Sequence, residues 1–294
     1  ILEAEGYVNC PESAAWELAP GGKYYTTRNG SAVLAWRMPK GELTGWHAAA
    51  SHSDSPTWRI KQFDTEDKVF AKAEVEGYGG MIMASWLDRP LTVGGRVLVK
   101  TQDGVQSRLV YIDRDLLVIP SLAIHFQRDV NKGKVFNPQI DMQPLWGPAG
   151  SRTLTDLICE ELGITAEEIL DWDLQLVTRQ APVQIGPDNE YFMAPRIDDL
   201  ECAATTLLAF LDASGEADSA CAPVWAMFDN EEVGSSSRMG AESSFLRDVL
   251  DRILDAVPHS GQAAARAMAN SFMLSADNAH ATHPNFPQKA DPCA

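Results

Sequence analysis

The run Pro223-Val-Trp-Ala-Met-Phe228 is apolar at every position and lies between two segments whose apolar residues recur at helical spacing. Over 199–213, Leu200, Ala204, Leu207, Leu208 and Leu211 share one face, with Gly215 as a stop; over 243–257, Phe245, Val249, Leu250, Ile253, Leu254 and Val257 do the same. A strand without polar alternation is covered on both faces, and the neighbouring helices are what can cover it. A second run of this kind, SFMLSA (271–276), comes later in the chain. This part of the chain is therefore expected to be an α/β domain with a parallel or mixed sheet.

Nearer the start, residues 23–37 read as two strands turning at Asn29-Gly30, a dipeptide that tolerates the positive φ a tight hairpin needs. Another strand is expected over 46–51. From about residue 67 the texture changes: KVFAKAEVEGYGG (68–80), TVGGRVLVK (92–100) and SRLVYIDRDLLVIP (107–120) carry β-branched and aromatic residues punctuated by glycine and proline. Two short helices are expected within 150–172, the second from the capping-box pattern Thr165 to Glu168 ahead of Ile169, Leu170 and Trp172. The resulting organisation is an interrupted α/β domain: residues 1–56 form its first part, 57–190 a β-rich insertion, and 191–294 its second part.

Composition narrows the function. With 294 residues and 45% hydrophobic content, a sizeable core can be filled. A net charge of −17 argues against nucleic acid as a partner and against an anionic membrane surface. The five cysteines are scattered, with no C-x-x-C pair, which fits a reducing, cytoplasmic setting. No apolar run reaches the ~18 to 20 residues of a membrane span, and ILEAEGYVNC at the start lacks signal-peptide character. That opening reads instead as the tail of a helix that begins further upstream.

In open α/β sheets ligands bind beyond the carboxyl ends of the strands, so polar residues just past apolar strands are the ones to weigh. Four places qualify: His52 and Asp54 in AAASHSDSP, Asp198 and Asp199 in APRIDDL, Glu231 and Glu232 in FDNEEVGSS, and Asp277, His280 and His283 in MLSADNAHATHPN. Each has a plain alternative. An isolated His-x-Asp suits a hydrogen-bonded structural histidine, Asp198-Asp199 suits a helix N-cap and first turn, adjacent glutamates suit a solvated turn, and Asp277-Asn278 suits a turn. Their shared position at strand ends favours chemistry. Imidazole with carboxylates and no thiolate suits zinc, manganese or cobalt at a hydrolytic centre. On an extended segment Glu231 and Glu232 point to opposite sides, so one should bind metal and the other stand beside the water. The same divergence weakens a glycosidase reading, and no G-x-S-x-G elbow supports a serine nucleophile. By alternation Asp54 shares a side with His52 and can orient its ring.

Six segments together resemble the aspartyl aminopeptidases, a branch of the di-zinc metalloaminopeptidases: HSDSPTWRIK (52–61), GYGGMIMASWLDRPLTVGGRV (77–97), IPSLAIHFQR (119–128), FMAPRIDDL (192–200), DNEEVGSSS (229–237) and SADNAHATHPN (275–285). They keep the family's order and cover nearly the whole chain. The resemblance implies an α/β/α zinc-peptidase sandwich with an inserted β-rich dimerisation domain. It implies two zinc ions per subunit: His52, Asp198 and Asp277 hold one, and Asp198 bridges to a second that Glu232 also binds. Glu231 becomes the general base toward the bridging water, Asp54 supports the metal-bound histidine, and His125 and His280 become substrate-binding residues, His125 in a neighbouring subunit's site. The substrate is a peptide with an N-terminal aspartate or glutamate, and the assembly a homo-oligomer of dimers building a dodecamer. The family's second zinc takes a further histidine from near its C-terminus, which nothing after His283 supplies here, and family members extend beyond both ends. The chain is accordingly expected to be incomplete, and the alternative reading is a truncated, non-catalytic assembly subunit that keeps the oligomerisation domain.

Overall fold

A computed structural model describes residues 1–64, 68–213, 220–258 and 261–290; Gly215 lies outside them. The chain divides into two compact units, one made of Ile1–Ser55 and Arg196–Ala294, the other of Pro56–Pro195.

In the first unit the described strands form a mixed six-stranded sheet in the order Val8–Asn9, Lys23–Arg28, Ala32–Arg37, Cys221–Phe228, Gly45–His52, Phe272–Ser275. The hairpin turns where the sequence places it, with Asn29 and Gly30 both at positive φ (53° and 71°). Cys221–Phe228 and Phe272–Ser275 both run parallel to Gly45–His52, with Phe228 beside His52 and Ser275 beside Ala50. Three carboxyl ends therefore emerge along one edge.

Pleating explains how PVWAMF buries both faces. Val224, Ala226 and Phe228 pack with Trp36, Leu34 and the helix Phe245–Asp255, whose Phe245, Val249, Leu250, Ile253 and Leu254 are all buried as the periodicity requires. Trp225 points the other way, with Ala35, Tyr7 and Phe210 of the helix Ile197–Asp212. The stripe expected on that second helix is displaced. Its buried positions are Asp199, Ala203, Thr206 and Phe210, while Leu200 and Leu208 are exposed and Leu207 and Leu211 only flank the core. The buried Trp225 indole N–H donates to the Thr206 hydroxyl (3.0 Å), so the helix is docked through a polar residue that a hydrophobic count passes over.

The entry to this unit is fastened by Arg28, which pairs with Glu12 (2.5 Å) and Asp248 (2.8 Å) while its guanidinium lies over the Phe245 ring. Ser244 and Arg28 hold the Asp248 carboxyl below the usual range, against a smaller opposing effect of burial. A depressed carboxyl contributes stability that is present above its unfolded pKa and lost as pH falls through the folded one. Asp248→Asn should therefore flatten the acid limb of a melting temperature against pH curve below about pH 4, by no more than about 1 kcal/mol because Asp248 is half exposed.

The second unit carries an antiparallel sheet in the order Gly104–Tyr111, Leu91–Thr101, Ile169–Thr178, Thr57–Asp64, Phe70–Tyr78, Leu145–Pro148. The helix Leu154–Leu162 buries Leu154, Leu157 and Ile158 in the core of this unit, and its Thr153–Asp156 capping box is closed in both directions. The expected second helix is not there. Thr165 N–H does donate to Glu168 Oε2 (2.7 Å), but the turn Ala166–Glu168 ends after three residues and Ile169 starts a strand. The cap satisfies its own amide, while the alternation that buries Leu174 and Leu176 makes a strand of the next ten residues. Residues 112–120 also leave the ladder expected over 107–120, with only bridges such as Leu91 to Leu117. Tyr191–Met193 pairs with Val183–Ile185, inside the second unit. Among the described residues no helix is long and apolar enough to cross a membrane.

Candidate metal centre

His52 closes the central parallel strand and is 4% exposed. Its Nδ1 faces both the carbonyl oxygen of Asp54 (3.1 Å) and Asp54 Oδ1 (3.2 Å). That pair fixes the ring so that Nε2 points at Asp198 Oδ1 (3.3 Å), Asp277 Oδ1 (3.8 Å) and Glu231 Oε2 (3.9 Å). His52, Asp198, Asp199 and Asp277 each place one donor atom within 4.8 Å of the others. The alternation argument for Asp54 thus gave the correct side, although Asp54 lies just past the strand's last residue.

Asp198 is not an N-cap. Its backbone is extended (φ −76°, ψ 111°), and among the described contacts its side chain caps no amide; the regular helix begins after Asp199. Ser55 Oγ donates to the Asp198 carbonyl (2.9 Å), which holds this bend beside His52. Asp199, which sequence reasoning left without a role, is wholly buried. Its Oδ2 accepts from the His52 backbone N–H (3.1 Å). The signal available in the sequence was the acidic doublet itself: two exposed acids would not need to be adjacent at the one point where the helix meets the strand ends.

The glutamates sit differently from the expected extended segment. Glu231–Val233 forms one 3₁₀ turn, entered through Asn230 at φ 66° and left through Gly234 at φ 95°. Successive side chains around such a turn still diverge, so the separation of Glu231 from Glu232 survives for another reason. The turn is set by Asp54, whose Oδ1 accepts from Glu231 N–H and whose Oδ2 accepts from Glu232 N–H, both at 3.1 Å. Behind it, Ser237 Oγ donates to Asn230 Oδ1 (2.6 Å) and accepts from Gly240 N–H (3.1 Å). The loop closes so tightly that a Cβ on Gly240 would lie 1.9 Å from the Ser235 carbonyl oxygen.

Burial and charge crowding act together on this cluster, which could hold a metal ion. Burial, then Asp198 and Glu231, push the Glu232 carboxyl up to about 7. Burial and Asp277 raise that of Asp198. Burial by itself would hold the His52 ring neutral, but Asp54, Asp199 and Glu231 outweigh it and lift the imidazole to about 9. Carboxyls raised first by burial and then by one another are groups that a divalent cation would relieve. Burial and Asp199 push the Cys202 thiol up to about 12, and the side chains whose donor atoms gather here offer nitrogen and oxygen, a set that suits zinc. His280 is exposed beyond the strand Phe272–Ser275, and His125 is exposed on a loop of the second unit.

Residues 1–293 match the family described as aminopeptidase I zinc metalloprotease (M18). The "Probable M18 family aminopeptidase 2" of Clostridium acetobutylicum is 40% identical over 302 residues, covering 99% of this chain and 69% of that protein. The structure of the Ape4 and Nbr1 complex matches with a TM-score of 0.91 at 33% identity, over 98% of this chain and 61% of that one. The Saccharomyces mApe1 dodecamer matches at 0.83 and 27% identity, over 98% and 68%. This chain thus spans roughly two thirds of its relatives' length. A histidine and carboxylates gathered at the strand ends, on a fold shared from end to end, place the chain in the M18 family of zinc aminopeptidases.

Proposed function

We propose that the protein releases an N-terminal residue, aspartate or glutamate, from peptides at a two-zinc centre with Glu231 as general base. The observation that carries this reading is His52 Nε2 facing Asp198, Asp277 and Glu231 at 3.3 to 3.9 Å. His52, Asp198 and Asp277 would hold one ion; Asp198 and Glu232 would share the other. Bound zinc polarises the scissile carbonyl and makes water acidic near neutral pH. The protein's own groups do the rest. Once a metal takes the place of the proton on Nε2, Asp54 would keep the other on Nδ1 and hold the ring in that orientation. Glu231, with its side chain 47% exposed, can accept a proton from water and return it to the leaving amine. Preference for an acidic residue needs basic groups near the pocket, since an acidic surface does not steer acidic substrates.

The β-rich unit would mediate pairing of copies, with dimers assembling toward a dodecamer of the kind the yeast relative's description records. In that assembly His125 would enter a neighbouring copy's pocket, and His280 would line the substrate site. The test is zinc analysis together with hydrolysis of aspartyl, glutamyl and leucyl amides. Two zinc ions per chain and preferential cleavage of the acidic amides support the reading. One ion or none, with no turnover by a well-assembled oligomer, would instead support the non-catalytic subunit.

A further inference from the structure

Asp277 lies on a segment that is neither helix nor strand, and its carboxylate is more than half exposed. On one side that segment is fastened by Ala276, whose N–H donates to the Ala50 carbonyl (2.8 Å) as the last bond of the parallel ladder. On the other side stands Asn278. Its Nδ2 donates to Glu201 Oε2 (3.0 Å), and its Oδ1 accepts from the Cys202 thiol (3.6 Å), a weaker contact. Glu201 and Cys202 belong to the first regular turn of the helix that begins after Asp198-Asp199. Asp277 is therefore held between two anchors, one to the strand that carries His52 and one to the helix next to Asp198.

We propose that Asn278 is a positioning residue: by tying its segment to Glu201 and Cys202 it fixes the Asp277 carboxylate opposite His52 Nε2 and so sets the affinity of the metal centre. The inference rests on the proposed metal centre. The turn that an Asp-Asn pair commonly forms is not what this asparagine does; its amide reaches across to the helix instead. With Ala276 as the only remaining anchor, the carboxylate would sample a wider range of positions, and each ligand arrangement other than the productive one lowers metal affinity. Outer-shell partners of this type commonly change affinity by about 10–100-fold.

The test compares Asn278→Ala, Glu201→Ala and Glu201→Gln with the parent, measuring zinc affinity by chelator competition, backbone order parameters at 277–280 and amide exchange across the sheet in the metal-free protein, and the metal-free melting temperature. Asn278→Ala should weaken zinc binding about 10–100-fold, lower the order parameters at 277–280 and leave the melting temperature unchanged. Glu201→Ala should reproduce that defect in part. Glu201→Gln keeps an acceptor and should stay near the parent. Unchanged zinc affinity in Asn278→Ala overturns the proposal. So does faster exchange throughout the sheet with a lowered melting temperature, which would mark a structural role. Should the parent bind no zinc, the functional reading fails, and the order parameters at 277–280 still decide whether the tie exists.

Discussion

Glu231→Gln should lower kcat by about 10²–10⁴-fold while zinc content and KM stay close to those of the parent. Glutamine occupies the same space but cannot hold a proton, so the substitution removes one function and little else. The side chain is half exposed, which limits any loss of packing. The tie of this residue to Asp54 runs through its backbone N–H, which glutamine retains. The contrast with Glu232→Gln makes the measurement decisive. Glu232, carried up to about 7 by burial and by Asp198 and Glu231, is the carboxylate assigned to metal, so its amide should reduce zinc stoichiometry. Titration of zinc by atomic absorption beside steady-state rates separates the two. Retained turnover in Glu231→Gln, or loss of zinc there, would remove Glu231 from the role of base.

The site was legible in sequence to the extent that each residue's position could be read from where a strand ends. His52, Glu231, Glu232 and Asp277 all lie at or just past the ends of apolar strands, and parallel pairing brings those ends to one edge. The contacts of Asp199 and Asn278 are not legible, because their partners are a backbone amide 147 residues away and a glutamate 77 residues away. Contacts at that separation exist only once the sheet is assembled. The turn at Glu231 is only half encoded nearby: Asn230 and Gly234 supply the positive φ at its two ends, while the acceptor for both glutamate amides is Asp54, 177 residues away from Glu231 in sequence.

The fold divides along the same line. Helix Phe245–Asp255 has five buried apolar residues at the expected helical spacing; the expected span of 243–257 is two residues too long at each end, and Val257 packs on the core from beyond the helix. Helix Ile197–Asp212 was readable as a helix but not as a face, since Thr206 takes a buried place while Leu200 and Leu208 face outward. At 165–172 a local motif and a longer-range one competed. The capping box formed, and cross-strand pairing with Leu91–Thr101 still claimed the residues after it.

Asp54→Ala should lower zinc affinity by about 10–100-fold and depress kcat in the same variant, because one carboxylate serves two groups. Its side chain is 7% exposed and faces the His52 imidazole and the amides of both glutamates. Losing it frees the ring to rotate and leaves the 3₁₀ turn without its acceptor. Asp54→Asn keeps one acceptor oxygen but turns a donor toward the other amide, so an intermediate defect is expected. The two functions can be separated through a double variant. If Asp54 acts on rate partly by placing Glu231, its effect on kcat should shrink in a Glu231→Gln background while its effect on zinc affinity persists. Rate losses that multiply in full would mean that Asp54 acts through His52 alone. Zinc affinity unaltered in Asp54→Ala would mean that the imidazole is held by its neighbours without it.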